Sequence, residues 1–441
     1  MSFFNVANEE LAVITAERTY TYKDLLGIPF EDSKKQLILI LCDGTFKTLS
    51  AYVTAMNSKH AVMLLSADIH EELLASIIKK YPIKWIVGLQ NLEGYIKEKQ
   101  RLVRIEHVDI EINEELALLL STSGTTGSQK FVRLSYENLK ANAQAIQEYL
   151  EINAEERPVL NLPLSYSYGM SIVNSHLLAG AALVLTNESV LEKSFWSFIK
   201  DAKATSLAGV PFTYQMLQRI GFIKMDLPDL RSLTQAGGRL NEKLVHYFAN
   251  YARETNKRFY VMYGQTEAAP RISYIPYNRV LDKAGSIGIA VPGGKLEIVE
   301  DELIYTGKNV MMGYAQCSED LAKGDELQGI LHTGDTAIVD KEGYFTITGR
   351  LKRFIKLFGL RINLDDVEKK LEQRFQISLA CTGTDDKLII AVEHAGFSDD
   401  IKKTIEEIYH LHKSAFKVKV MEIPHLSNGK TDYVKLKELC L

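Results

Sequence analysis

Residues 121–130 read STSGTTGSQK, directly after the apolar run LALLL (116–120) and directly before FVRLSYENLKANAQAIQEYL. Two glycines, a string of hydroxyl side chains and one lysine thus follow a segment that reads as a buried strand. A strand, a glycine-rich loop and then a helix suits anion binding. Glycine lets the backbone approach closely, exposed N–H groups point inward, and a lysine adds positive charge. The phosphate loop G-x-x-x-x-G-K-[ST] is not matched, because Gly127 is not followed by lysine and no Ser or Thr follows Lys130. Taken alone, the stretch reads equally as a polar turn between two elements.

Working outward, strand and helix patterns alternate through the first half. KQLILILC (35–42), AVMLL (61–65) and IKWIVG (83–88) read as strands, with TFKTLSAYVTAMNSK (45–59) and IHEELLASIIKKY (69–81) as the helices between them. Such alternation predicts an α/β fold with parallel-type sheets in a large, multi-layer N-terminal domain. The pattern recurs at ERPVLNLP, SFWSFIKDAKATSLAGV and NEKLVHYFANYARETNKRFYVMYG. From about Ala284 short alternating strands joined by Gly and Asp turns predict a small, mostly antiparallel β subdomain. After Arg350 two helical patterns return among short apolar runs, which predicts a small α+β C-terminal domain. The expected boundary divides the chain into 1–351 and 352–441.

The chain has 441 residues, 46% of them hydrophobic, enough for two or three domains with a large core. A net charge of -4 argues against a nucleic-acid footprint. Cys42, Cys317, Cys381 and Cys440 form no C-x-x-C pair and read as reduced thiols. The first residues carry no basic start followed by an apolar run, and no apolar segment approaches the ~20 residues that span a bilayer. The expectation is a cytoplasmic protein with no membrane and no nucleic-acid partner.

The loop closely resembles the phosphate-binding motif [ST]-[ST]-G-[ST]-T-G-x-P-K-G of the adenylate-forming superfamily, with Gln129 for the proline and Phe131 for the last glycine. That group includes acyl- and aryl-CoA synthetases, luciferases and peptide-synthetase adenylation domains. Further segments resemble its other motifs, in the family's order: YTYKDLL (20–26), NLPLSYSYGM (161–170), LAGVPFTYQML (207–217), LTQAGGRL (233–240) and MYGQTE (262–267). LHTGD (331–335), GRLKRFIKLFGLRI (349–362) and LSNGKTDYVKL (426–436) complete the series.

The resemblance implies an AMP-forming carboxylate ligase. It would use MgATP to turn a small carboxylic acid into an acyl-adenylate, then pass the acyl group to the pantetheine thiol of CoA or of an acyl or peptidyl carrier protein. Ser123, Gly124, Thr125, Thr126, Gly127 and Lys130 would hold the β- and γ-phosphates. Gly237 and Gly238 would border the nucleotide, with Gly264 and Gln265 beside it; Tyr263 would stack on adenine, Thr266 would meet the α-phosphate and Glu267 would bind Mg2+. Asp335 would accept hydrogen bonds from the ribose hydroxyls, with Arg350 nearby. Lys430 would bridge the carboxylate and the α-phosphate, a compact cation where negative charge develops. Lys352 corresponds to a hinge about which a mobile C-terminal domain rotates, carrying Gly359 to the thiol tunnel. Without the family pattern, MYGQTE reads as a strand end, HTGD as a hairpin turn, and Lys352 and Lys430 as surface lysines.

For the acid pocket, Tyr166, Ser167, Tyr168 and Tyr214, with Met170, offer an apolar body with hydroxyl handles, and core packing is the competing reading. Ser167 stands where relatives that activate α-amino acids carry an Asp, and a serine cannot neutralise a buried ammonium. Aryl, short acyl and hydroxy acids therefore stay open. Arg271 reads as solvent-facing, with a second substrate carboxylate as the alternative. The N-terminal portion is shorter than in typical CoA synthetases, which keeps a carrier protein in view as acceptor. Two rivals remain: an acyl-AMP ligase serving an amine or hydroxyl, and a catalytically silent nucleotide-binding relative.

Overall fold

The computed structural model describes the chain except residues 1, 7, 108–109, 122–129, 352, 358–359, 385–386, 410, 427–429 and 441, and gives backbone only at 354, 356, 360 and 361. The described residues form two compact units. One comprises Met1–Lys295 with Tyr305–Leu331, the other Leu296–Ile304 with His332–Leu441.

The first unit holds two large mixed sheets among its described residues. In one, four parallel strands run side by side in the order Ile83–Val87, Leu37–Cys42, Ala61–Ser66 and Leu116–Ser121. Leu37–Cys42 is buried along its whole length, so both of its faces are covered. That explains a continuous apolar run instead of alternation. Each such side chain removed from water contributes about 1.5–3 kcal/mol. Helices Phe46–Asn57 and Glu71–Lys80 supply the crossovers that parallel strands require.

The second sheet has a parallel run formed by Arg258–Gly264, Ser232–Gln235, Ser206–Gly209, Pro158–Leu160, Leu183–Leu185 and Leu11–Ile14. Its two edges are antiparallel: Thr19–Thr21 beyond Leu11–Ile14, and Arg271–Ile275 with Ile289–Ala290 beyond Arg258–Gly264.

One local expectation fails. The glycine-rich loop does not lead into a helix. Phe131–Ser135 is a fully buried strand, paired antiparallel with Leu116–Ser121 through Ser121 and Phe131, and on its other side with Gly313–Ala315. The helix Tyr136–Leu150 begins only afterwards, closed by a capping box in which Ser135 and Asn138 bond each other's backbone N–H. The loop therefore connects two strands, and no helix N-terminus stands at its end.

Most of a four-stranded sheet of Lys295–Val299, Glu302–Thr306, Ile330–Val339 and Phe345–Arg350 belongs to the second unit. HTGD lies inside the long strand Ile330–Val339, so its reading as a hairpin turn is wrong. The turn comes later, where the Asp340 carboxylate accepts from the backbone N–H of Glu342 and Tyr344. A three-stranded sheet, Leu379–Thr384, Lys387–Val392 and Phe416–Val420, packs with helices Leu364–Phe375 and Ser398–Tyr409 around Val367, Leu371, Leu388, Ile390, Ile401 and Ile405. This is the expected α+β unit.

Candidate active site

The antiparallel pair Arg258–Gly264 and Arg271–Ile275 is joined by the turn that carries Thr266 and Glu267. Gly264 has no room for a side chain, since a Cβ there would stand 1.7 Å from the Pro270 carbonyl oxygen. Buried Asn309 donates to the carbonyls of Ala268 (2.6 Å) and Arg271 (2.7 Å), while its own oxygen accepts from the Tyr305 hydroxyl. The Met311 N–H bonds the Glu267 carbonyl at 2.9 Å. The turn is thus pinned from residues 309–311, the rigid support a reacting site needs.

Three of the motif segments meet at this turn. The Ser167 and Thr266 hydroxyl oxygens lie 3.2 Å apart, joining the start of helix Ser167–Leu178 to the turn. Gly237, at φ 84°, leaves space for the Tyr166 hydroxyl, which would lie 2.4 Å from a Cβ. The Gln235 side chain donates to the Gly238 carbonyl at 2.8 Å, and its own fully buried oxygen has no hydrogen-bond partner among the described residues. Gln265 donates to the Tyr263 hydroxyl at 3.2 Å. Tyr168 is fixed by Thr234, to whose carbonyl it donates at 3.0 Å, and lines a cavity between helices and sheet. Burial raises the pKa of Tyr166 and of Tyr168, with nearby Arg271 opposing, so both hydroxyls stay neutral donors. Tyr214 packs edge-on to Phe248 (4.9 Å between ring centres) and against Phe259, and Met170 receives the Asn174 amide.

Glu267 and Lys130 share one neighbour. The Tyr314 hydroxyl donates to Glu267 Oε1 at 2.8 Å, and Lys130 Nζ stands 3.6 Å from the centre of the Tyr314 ring. Burial, then the Glu267 charge, pushes the Tyr314 pKa up, which keeps the proton on the donor. Among the described residues no cluster of three His, Cys, Asp or Glu could cage a metal. A single oriented carboxylate suits Mg2+, which keeps most of its waters and takes substrate phosphate oxygens. Ser123, Gly124, Thr125, Thr126 and Gly127 lie outside the described residues.

In the second unit Asp335 and Arg350 are cross-strand partners, with Arg350 Nε 3.2 Å from Asp335 Oδ1. The Asp335 carboxylate is buried, and its N–H bonds the Thr333 hydroxyl at 3.1 Å. The Lys430 carbonyl accepts from the Leu426 N–H at 2.8 Å, beside the bridge between His425 and Thr431. Lys352 and Gly359 lie outside the described residues.

Sequence reasoning missed Tyr314, Asn309 and Gln235, and it misjudged Arg271. Far from facing solvent, Arg271 is 3% exposed, its guanidinium 4.2 Å from the centre of the Tyr168 ring. No local pattern flags Tyr314 or Asn309, and Gln235 lies inside LTQAGGRL with no role marked for it.

Residues 30–315 match the AMP-binding enzyme family. A long-chain-fatty-acid–CoA ligase of Escherichia coli O157:H7 is 27% identical over 412 residues, covering 85% of this chain and 69% of that protein. A feruloyl-CoA synthase of an Amycolatopsis species is 28% identical over 275 residues, covering 58% and 54%. In fold, the O-succinylbenzoate Coenzyme A synthetase of Bacillus subtilis, solved in complex with AMP, superposes with a TM-score of 0.77 at 19% identity, covering 97% of this chain and 95% of that one. With a pinned turn bearing Thr266 and Glu267, and a family match across well over half its length, this chain belongs to the AMP-binding enzyme family.

Proposed function

We propose that this AMP-binding enzyme is an ATP-dependent acid–thiol ligase acting on a small carboxylic acid. A carboxylate oxygen of the acid attacks the α-phosphorus of ATP; a P–O bond forms, the bond to the pyrophosphate oxygen breaks, and pyrophosphate leaves. A thiolate then attacks the acyl carbon of the adenylate; a C–S bond forms, the C–O bond to AMP breaks, and the thiol proton passes to solvent.

The observation that carries this reading is the meeting of Ser167 and Thr266 beside Glu267. It sets the start of the acid-pocket helix against the residue assigned to the α-phosphate. Thr266 orients the α-phosphate. Mg2+, when bound, neutralises phosphate charge, and Glu267, held by Tyr314, is the carboxylate offered to it. Lys130 exchanges the Tyr314 ring for phosphate oxygens, giving up a contact of only about 0.5–2 kcal/mol. Tyr263 faces the adenine, with Gly237, Gly238, Gly264 and Gln265 around the nucleotide, and Asp335 takes the ribose with Arg350 beside it.

Lys430 neutralises charge between carboxylate and α-phosphate during the first step. Rotation of residues 352–441 about Lys352 then exchanges Lys430 for Gly359 and admits the thiol. CoA is the acceptor of the synthetases it resembles, and a carrier protein is the alternative acceptor. The cytoplasm, where ATP and CoA are supplied, is the proposed compartment. Among the described residues no helix is long and apolar enough to cross a membrane.

Acid-dependent ATP–pyrophosphate exchange over aryl, short-chain, fatty and amino acids tests this. Exchange with one acid class, reduced on the order of 10²- to 10³-fold in Lys430→Ala, is expected. ATP binding without exchange for any acid class would overturn the ligase reading in favour of a silent nucleotide binder.

A further inference from the structure

Arg271 is a nearly fully buried cation whose Nε finds no hydrogen-bond partner among the described residues. Nor does it form an ion pair with any of them. Its compensation is the face of Tyr168 and the hydroxyl of Tyr149. A buried charge left in such company is costly, and proteins ordinarily pair it. Arg271 lines a cavity of about 30 Å³ together with polar Tyr168, Ser171 and Thr234 and apolar Ile146, Leu150 and Ile172. That space admits a small polar group, since roughly 10–15 Å³ suffices for one water, and it is far too small for a long alkyl chain.

The other titratable groups lining this cavity do not supply the missing anion. Glu156 is engaged by the Thr205 hydroxyl and by Arg231 at 3.5 Å. His176 is held neutral by burial, its Nδ1 2.9 Å from the Ile172 carbonyl oxygen.

Two elements that line the cavity also lead to the proposed reaction centre. Tyr168 follows Ser167 in the chain, and Arg271 is the cross-strand partner of Gly264, two residues before Thr266. We propose that the acid activated here carries a second anionic group, a terminal carboxylate, and that Arg271 receives it beside Tyr168. The proposal rests on the ligase reading for the first carboxylate. The second carboxylate is recognised by the planar fork of guanidinium donors, which binds both carboxylate oxygens where a lysine offers one point charge. Arg271 would therefore set specificity without touching the reacting atoms.

The test pairs monoacids with diacids of matched length: butanoate with succinate, pentanoate with glutarate, benzoate with isophthalate. Exchange and thermal shift are read for wild type, Arg271→Leu and Arg271→Lys. Wild type is expected to favour one diacid over its monoacid on the order of 10²- to 10³-fold, with Arg271→Leu erasing that ratio and Arg271→Lys falling between. A ratio between two substrates is not moved by a general loss of folded protein. Exchange with monoacids and an unmoved ratio in Arg271→Leu would overturn the proposal and leave the ligase standing. A diacid that stabilises wild type but not Arg271→Leu, with no exchange for any acid, would keep the anion site and overturn the ligase. Neither stabilisation nor exchange would overturn both.

Discussion

Arg271 in the first unit and Arg353 in the second are the same side chain withdrawn from water in opposite company. Arg353 bonds Asp365, both oxygens of Glu368 and the Cys381 carbonyl, and lies 3.8 Å from the centre of the Tyr433 ring. Glu368 in turn accepts from the Tyr433 hydroxyl and the Cys381 N–H. Burial opposes the Arg353 charge, but the Glu368 and Asp365 carboxylates outweigh it and its pKa rises. At Asp365 the balance tips the other way, burial raising its pKa despite the arginine. A guanidinium closed off by carboxylates ties strand to helix. One buried beside aromatic rings, with a donor left over, is built to receive something.

The largest expected effect breaks the structural half of that contrast. Arg353→Met leaves two buried carboxylates without their cation and should destabilise the second unit by about 3–5 kcal/mol. Arg271→Leu removes a buried charge held only by aromatic neighbours and should shift stability by no more than about 1 kcal/mol in either direction. Urea denaturation of the full chain, followed by probes in each unit, reads both; equal losses would dissolve the distinction.

Next comes His176, buried in the Arg271 cavity, its pKa lowered by burial to about 4. The unfolded chain takes up this proton near pH 6.5 and the folded one only near 4, so stability is full above 6.5 and drains as pH falls between the two. At ~1.4 kcal/mol per unit the loss approaches roughly 3 kcal/mol. Urea titrations at pH 7 and pH 4.5 should show it in wild type and a flatter dependence in His176→Gln.

The smallest effect concerns Tyr314. Tyr314→Phe keeps the ring under Lys130 but loses the bond to Glu267, and should raise the Mg2+ concentration for half-maximal exchange about tenfold. Tyr314→Leu should add a few-fold rise in KM for ATP. A loss of kcat at unchanged Mg2+ demand would make Tyr314 structural only.

Much of this fold is written locally. The run LILILC announces a doubly covered strand because six consecutive apolar residues fit little else. Turn chemistry at Asp340 is equally local. What escaped the sequence depends on distant partners. FVRLS became a strand, not the lead into a helix, because Gly313–Ala315 pairs with its other edge. Tyr314 meets Glu267 across 47 residues of chain, and Asn309 reaches Ala268 across 41. Arg271 looked exposed because its burial is set by the paired strands Arg258–Gly264 and Ile289–Ala290 and by Tyr168, a hundred residues earlier.

The most direct test of acid activation is one turnover with ATP and an acid that supports exchange, in the absence of thiol and with hydroxylamine as trap. One hydroxamate and one pyrophosphate per active site, with AMP released, is the predicted result. ADP and inorganic phosphate in their place would contradict an adenylate-forming chemistry at Thr266 and Glu267.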